Sequence, residues 1–329
     1  MFLSPSILLF TLSILLSIMM IISSPSLFIS WVGLELNTLA FIPLLLNMKN
    51  KLTSEASIKY FLTQTLASIL FILGLLINLT NSGVIWTLFL FLGLSIKLGA
   101  APFHSWLLTV AESCSWVLLL ILLTIQKINP LLIVWFSGSH MNNFNILLIF
   151  ISVLVGGFMG LIQTSSRLVL TFSSINHLGW LLSSLMFNLW LGVVYFSIYF
   201  LVLMPVVNFF QKKNVHHINQ LPSLNTGSLS LGLLLISLMS LGGLPPFLGF
   251  LPKWVVLQSL VSSGYFIQAL VMVFMSLFTL YYYLRLTFSA FILSKSMVYL
   301  SYNKWINLTI FDAFFLSTSL LGLPVIFLM

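Results

Sequence analysis

Apolar residues run along this chain in unbroken stretches of about 20, separated by short clusters of polar residues, glycine and proline. A half-buried strand, or a strand of a membrane barrel, would alternate apolar and polar positions instead, so the runs predict helices. Their length suits a bilayer, because about 20 helical residues span the hydrocarbon core. The pattern predicts about eleven crossings, with cores at residues 3–22, 27–46, 56–79, 84–110, 115–136, 144–162, 168–187, 191–210, 228–260, 265–284 and 305–327. The first run has no basic n-region and no small-residue cleavage site, and is expected to be a retained helix rather than a signal or transit peptide.

Composition agrees. Of 329 residues, 60% are hydrophobic and 5% charged, and the mean hydropathy is +1.18. A chain so poor in charge cannot clothe a water-facing surface, which excludes a soluble enzyme and predicts an all-α polytopic membrane protein. There are 12 Lys and Arg against 4 Asp and Glu, yet no basic cluster exceeds Lys212-Lys213, so no nucleic-acid partner is expected. Instead, Lys49, Lys51, Lys59, Arg167, Lys212, Lys213, Arg285, Lys295 and Lys304 all fall on the face that holds the N-terminus. The connections predicted on the other face contain no Lys or Arg, and an error of one helix would scramble this segregation. The N-terminus is therefore expected on the positive side, cytoplasm or mitochondrial matrix, and the C-terminus opposite. Cys114 is the single cysteine, which rules out an intrachain disulfide and an all-cysteine cluster.

Three basic residues remain, Lys97, Lys127 and Lys253, and each falls inside a predicted crossing. A lysine at the centre of a membrane helix costs roughly 2.5 to 3.5 kcal/mol, and is tolerated where it faces a bundle interior or a hydrated path. Glu35 in WVGLELN is the one carboxylate deep in the first ten crossings, since Glu55 and Glu112 sit at helix ends. Glu35 is expected to pair with Lys97, leaving Lys127 and Lys253 to hydrogen bonds and water. Buried lysines can exchange protons near neutral pH, so a series of them reads as a proton relay.

Two of these lysines adjoin helix-breaking sequence, SIKLGAAPFHSW at 95–106 and LGGLPPFLGFLPKW at 241–254. Glycine weakens a helix and proline removes a donor, so unwound turns are expected around 99–102 and 242–249. The interrupted helices are the fourth and the ninth, an odd spacing that makes matching segments antiparallel. Paired interrupted helices point to an ion site in an inverted repeat. The expected organisation is one membrane domain over 1–329, with a first repeat at 1–137, a second at 138–290 and a C-terminal helix at 291–329.

His104, after the first break, and His177, in SSINHLGW, are further candidates for moving protons. His140, His216 and His217 are expected to be solvated. Asp312 suits a contact with a neighbouring subunit as well as it suits proton transfer. Tyr281 to Tyr283 beside Arg285 read as an interfacial aromatic belt. No metal-ligand pair, phosphate-binding loop or nucleophile elbow is present in the sequence.

Together WVGLELN, KLGAAPFHSW, QKINP, SSINHLGW and SLGGLPPFLGFLPKW resemble the antiporter-like membrane subunits of respiratory complex I, in the form found in animal mitochondria. The likeness runs over essentially the whole chain. Family members usually have fourteen helices in two inverted five-helix repeats; the absence of three at the start resembles the animal form and speaks against a free-standing bacterial antiporter. The resemblance implies that Glu35 and Lys97 interact in the first half, that Lys127 is the central connecting lysine, and that Lys253 is the terminal one. It implies a subunit of the proton-translocating NADH:ubiquinone reductase of the mitochondrial inner membrane, with the N-terminus in the matrix and the C-terminus in the intermembrane space. It implies no cofactor in this chain, NADH, flavin, iron-sulfur clusters and ubiquinone being handled by partner subunits. The expected partners are other membrane-arm subunits of complex I, neighbouring antiporter-like chains among them, and lipids. The alternatives are a stand-alone cation/proton antiporter using the same lysines and a lipid-facing scaffold, against which the three intramembrane lysines speak.

Overall fold

The computed structural model describes residues 5–47, 50–79, 85–137, 143–222 and 228–298. The expected crossing at 305–327, with Asp312, lies outside them, as do Lys49, His140 and Lys304. The described residues form α-helices and no strand: α1 (Pro5–Ser23), α2 (Leu27–Leu46), α3 (Lys51–Asn78), α4 (Ile85–Leu98), α5 (Ser105–Ser113), α6 (Trp116–Leu123), α7 (Ile125–Phe136), α8 (Asn143–Ile162), α9 (Ser166–Phe187), α10 (Leu189–Lys213), α11 (Ser228–Gly242), α12 (Phe250–Ser262) and α13 (Phe266–Val298). Among these residues, 8 helical stretches are long and apolar enough to cross a membrane, α6 and α7 together forming one of them as Trp116–Phe136. The fourth and ninth expected crossings appear as the pairs α4/α5 and α11/α12, interrupted where glycine and proline predicted.

Both interruptions begin with the same device. At the end of α4, Gly99 takes φ +67°, its N–H donates to Ile96 O (3.0 Å), and the N–H of Ala100 donates to Ser95 O (3.0 Å). At the end of α11, Gly243 takes φ +79°, donating to Ser240 O (3.1 Å), while Leu244 donates to Met239 O (3.3 Å). This Schellman closure needs a left-handed residue just past the helix, which is why glycine sets the position of each break. A further interruption, between α6 and α7 and so the second in chain order, has neither glycine nor proline at its centre. Thr124 leaves helical geometry (φ −120°, ψ −79°) and its hydroxyl and N–H both donate to Leu120 O, at 2.6 and 3.0 Å. The fifth expected crossing, 115–136, is present as Trp116–Phe136, and within it a threonine hydroxyl competes for backbone six residues before Pro130.

Two helix ends also moved. α3 starts at Lys51, five residues before its expected apolar core, because the Thr53 hydroxyl accepts from Asn50 N (3.3 Å) and holds a polar first turn. α13 has 33 residues, about 50 Å of helix, and so outruns the bilayer.

The chain divides into two compact units, residues 1–152 and 153–329. In the first, α3 and α4 pack backbone to backbone: a Cβ on Gly93 would meet Ala67 O at 2.7 Å, and one on Gly74 would meet Leu90 N at 2.9 Å. α1 turns Leu8, Leu9, Leu12, Leu16 and Met19 outward, a face suited to lipid. In the second unit, α9 is the enclosed element, with every residue from 169 to 186 buried. Thr171, Ser173, Ser174, Ser183 and Ser184 on it each donate to the carbonyl three residues back, so their protons are satisfied within the helix.

Candidate functional site

In the first unit Lys97 Nζ lies 3.4 Å from Glu35 Oε1, with the lysine side chain 2% exposed and the glutamate 24%. The pair expected from sequence therefore forms. Lys97 occupies the last turn of α4, where helix carbonyls present partial negative charge and favour a cation. Thr38 Oγ1 lies 3.5 Å from Glu35 Oε2. The break just beyond is held by Trp106, whose Nε1 donates to Ile96 O (2.9 Å), a carbonyl at the end of the interrupted helix. His104 occupies the residue just before α5 on the far side of that break, half-buried.

Lys127 lies in the first turn of α7, immediately after the Thr124 interruption, and is buried. Its helix carries further buried polar groups: Tyr60 Oη lies 3.5 Å from Gln126 Oε1, and Asn129 Nδ2 donates to Ser17 Oγ at 3.0 Å. Tyr60 belongs to an inward row on α3, where Thr53, Ser57, Tyr60, Gln64 and Ser68 are all buried. That row, spaced by three and four on an apolar helix, is the sequence signal by which Tyr60 could have been found. Its ring meets Phe41 and Trp106 edge-on, with centroids 5.3 and 5.6 Å apart.

The second unit has its own constellation. Lys253, in the first turn of α12, reaches back across the break so that Nζ donates to Gly242 O (2.9 Å), the last residue of α11. Gly243 is needed for this as well as for its φ, since a Cβ there would meet Lys253 Nζ at 2.9 Å. A Cβ on Gly249 would run into Ser240 O, so this loop closes only on glycine. Lys253 Nζ also sits 5.8 Å from the centroid of the buried Trp180 ring, a cation–π distance. One turn from Trp180 on α9, His177 is hydrogen-bonded through Nδ1 to Tyr195 Oη (2.8 Å), and its ring lies 4.9 Å from that of Tyr199. Tyr195 and Tyr199 were not singled out in the sequence, where they read as ordinary apolar-helix aromatics.

The structure thus brings Glu35 to Lys97 and places His177 near Lys253 through Trp180. The expected aromatic belt is corrected. Tyr281 is 61% exposed, but Tyr282 and Tyr283 are both 0% exposed, because successive helical positions point about 100° apart and only one of three neighbours can face outward. Arg285 is a cap rather than a belt residue: Nη1 and Nη2 donate to Leu161 O (2.7 Å) and Gln163 O (2.6 Å) at the end of α8. His216 and His217 are exposed, as expected. Partial burial, then the neighbouring Arg167 and His217, push His216 below the ordinary histidine pKa. Among the described residues no group of His, Cys, Asp and Glu could hold a metal ion.

Interrupted membrane helices with buried lysines at the interruptions define a class of ion-translocating membrane protein. The NADH:quinone oxidoreductase/Mrp antiporter transmembrane family profile matches residues 24–279. NADH-ubiquinone oxidoreductase chain 2 of Anopheles gambiae is 44% identical over 86% of this chain and 84% of its own. The protein of the same name from Locusta migratoria is 37% identical over 91% and 88%. Among solved structures, a chain of respiratory complex I from Thermus thermophilus with bound aureothin has the same fold, with TM-score 0.77 and 24% identity over 87% of this chain and 71% of that one. The chain belongs to the NADH:quinone oxidoreductase/Mrp antiporter family, in its NADH-ubiquinone oxidoreductase chain 2 branch.

Proposed function

We propose that this chain moves protons across the mitochondrial inner membrane as an antiporter-like subunit of respiratory complex I, alongside other membrane-arm subunits. Oxidation of NADH and reduction of ubiquinone, with the flavin and iron-sulfur clusters they require, belong to partner subunits. The observation that carries the reading is the placement of each buried lysine at a helix interruption: Lys97 before the first, Lys127 after the second, Lys253 bonded across the third. A lysine ammonium held by backbone carbonyls or one carboxylate can give up one N–H proton to an acceptor and stay in place as a neutral amine. The nitrogen lone pair left behind then accepts the next proton. In the first half Glu35 supplies the charge that holds the proton on Lys97, and when Lys97 releases it the carboxylate is left to attract the next cation. Lys127 connects the halves, Lys253 is the terminal station, and His104 and His177 serve beside the first and third interruptions. Residues 1–137 and 138–290 act as inverted halves.

The test is made on the purified complex in proteoliposomes. Lys253→Met should leave NADH oxidation by the assembled complex measurable while lowering protons moved per NADH. Unchanged pumping, or an active isolated chain that exchanges cations for protons, would contradict this reading and favour a free-standing antiporter.

The orientation follows from the segregation of basic residues, which puts the N-terminus and the loop after α10 in the matrix and the C-terminus in the intermembrane space. Single cysteines at positions 212 and 262, both exposed, should label from opposite sides of the membrane, position 212 only once the inner membrane is opened. Labelling of both from one side would refute the topology.

A further inference from the structure

Lys253 is a buried lysine in a stretch of sequence without carboxylates. There is no Asp or Glu between residues 113 and 311, and Asp312 lies outside the described residues. Lys253 is nonetheless held in one place. Its Nζ donates to Gly242 O (2.9 Å), its stem lies against Gly243, where a Cβ would meet Cδ at 2.9 Å, and its head stands 5.8 Å from the centroid of the Trp180 ring. The first unit meets the same need differently, with Glu35 at 3.4 Å from Lys97.

Trp180 does not owe its place to a hydrogen bond of its own. It is 1% exposed, and its Nε1 has no hydrogen-bond partner among the described residues. A buried N–H without a partner is costly, and phenylalanine would fill most of the same space without it. What tryptophan offers over phenylalanine is its ring face, the best of the aromatic side chains for attracting an ammonium group. That face is also fixed in position. Every residue of α9 from 169 to 186 is buried, and one turn before Trp180 the helix lies so close to α8 that a Cβ on Gly156 would meet Asn176 N at 2.6 Å.

We propose that Trp180 is a positioning residue for Lys253, its ring face taking the part that the Glu35 carboxylate takes for Lys97. The proposal rests on the proton-relay reading above and deepens it, giving the second unit a counter-group that carries no net charge. The difference matters for release. When a lysine paired with a carboxylate loses its proton, a buried anion is left behind, and a stranded buried charge is costly. When Lys253 loses its proton beside a neutral ring, no charge is left by the pair, and the neutral amine keeps a hydrogen bond to Gly242 O. Trp180 attracts the charged head and holds it at the break without trapping the proton there.

The test uses the whole complex in proteoliposomes, scored for assembly, heat stability and protons moved per NADH. Fluorinated tryptophans placed at position 180 keep the shape of the ring and drain negative charge from its face. Proton movement should fall stepwise as fluorines are added, to roughly threefold to tenfold below that of the unaltered complex, with assembly retained. A ring that only fills space is indifferent to fluorine, so unchanged proton movement across the series overturns the proposal. A second reading is a double-mutant cycle on heat stability, with Trp180→Leu and Lys253→Met alone and together, and Trp180→Phe in place of the leucine variant if that one does not assemble. The double variant should be less destabilised than the two singles added; strict additivity means that ring and lysine do not interact, and overturns the proposal too. Should Lys253→Met pump fully, the relay reading has failed and the proposal with it; should Lys253→Met lose pumping while the fluorinated series keeps it, only the part given to Trp180 has.

Discussion

Replacing Lys97 with methionine in the assembled complex is expected to stop the proton movement carried by this subunit, and Glu35→Gln to impair it nearly as much. Each removes one partner of a 3.4 Å pair and leaves the other in a low-dielectric setting. Stranding a buried charge in this way costs roughly 3 to 5 kcal/mol. The glutamate side chain is 24% exposed and the lysine 2%, so losing the carboxylate, which strands the more enclosed charge, should destabilise more than losing the lysine. Proton movement should rank the other way, because in the proposed relay the lysine is the group that carries the proton. The double variant should be less destabilised than the sum of the singles, with a coupling of about 1 to 3 kcal/mol. Thermal unfolding of the four complexes measures this directly, and strict additivity would mean that the pair contributes nothing as a pair.

Much of the fold was legible because membrane helices must satisfy their backbone internally, which ties apolar run length to crossings. The breaks at Gly99 and Gly243 were legible for a related reason: a left-handed residue is nearly always glycine, so the closure is written in residue type. The break at Thr124 was not. A threonine inside an apolar run is ordinary, and only the backbone shows its hydroxyl drawing on Leu120 O.

The site divides in the same way. Glu35, Lys97, Lys127 and Lys253 stand out because charge is expensive in lipid, whatever the fold. Tyr60, Gln126, Asn129, Tyr195 and Tyr199 do not, because a neutral polar or aromatic residue costs little on a helix that faces protein. Tyr281 to Tyr283 show the limit most plainly: three identical residues, one exposed and two enclosed, distinguished only by which way the helix is turned.

The central claim is that the buried lysines act by giving up protons, not only by holding charge in place. Arginine separates these roles, since it keeps the cation and its hydrogen bonds but does not deprotonate in proteins. Lys97→Arg is the sharpest case, because the guanidinium can still pair with Glu35 and cap the end of α4. The larger head group will cost some packing, about 1 to 3 kcal/mol, which assembly on native gels registers separately. The deciding measurement is protons moved per NADH oxidised by the Lys97→Arg complex in proteoliposomes, normalised to assembled protein. A relay predicts a ratio as low as that of Lys97→Met in a complex that still assembles; a ratio near that of the unaltered complex would contradict the relay and leave Lys97 a structural cation.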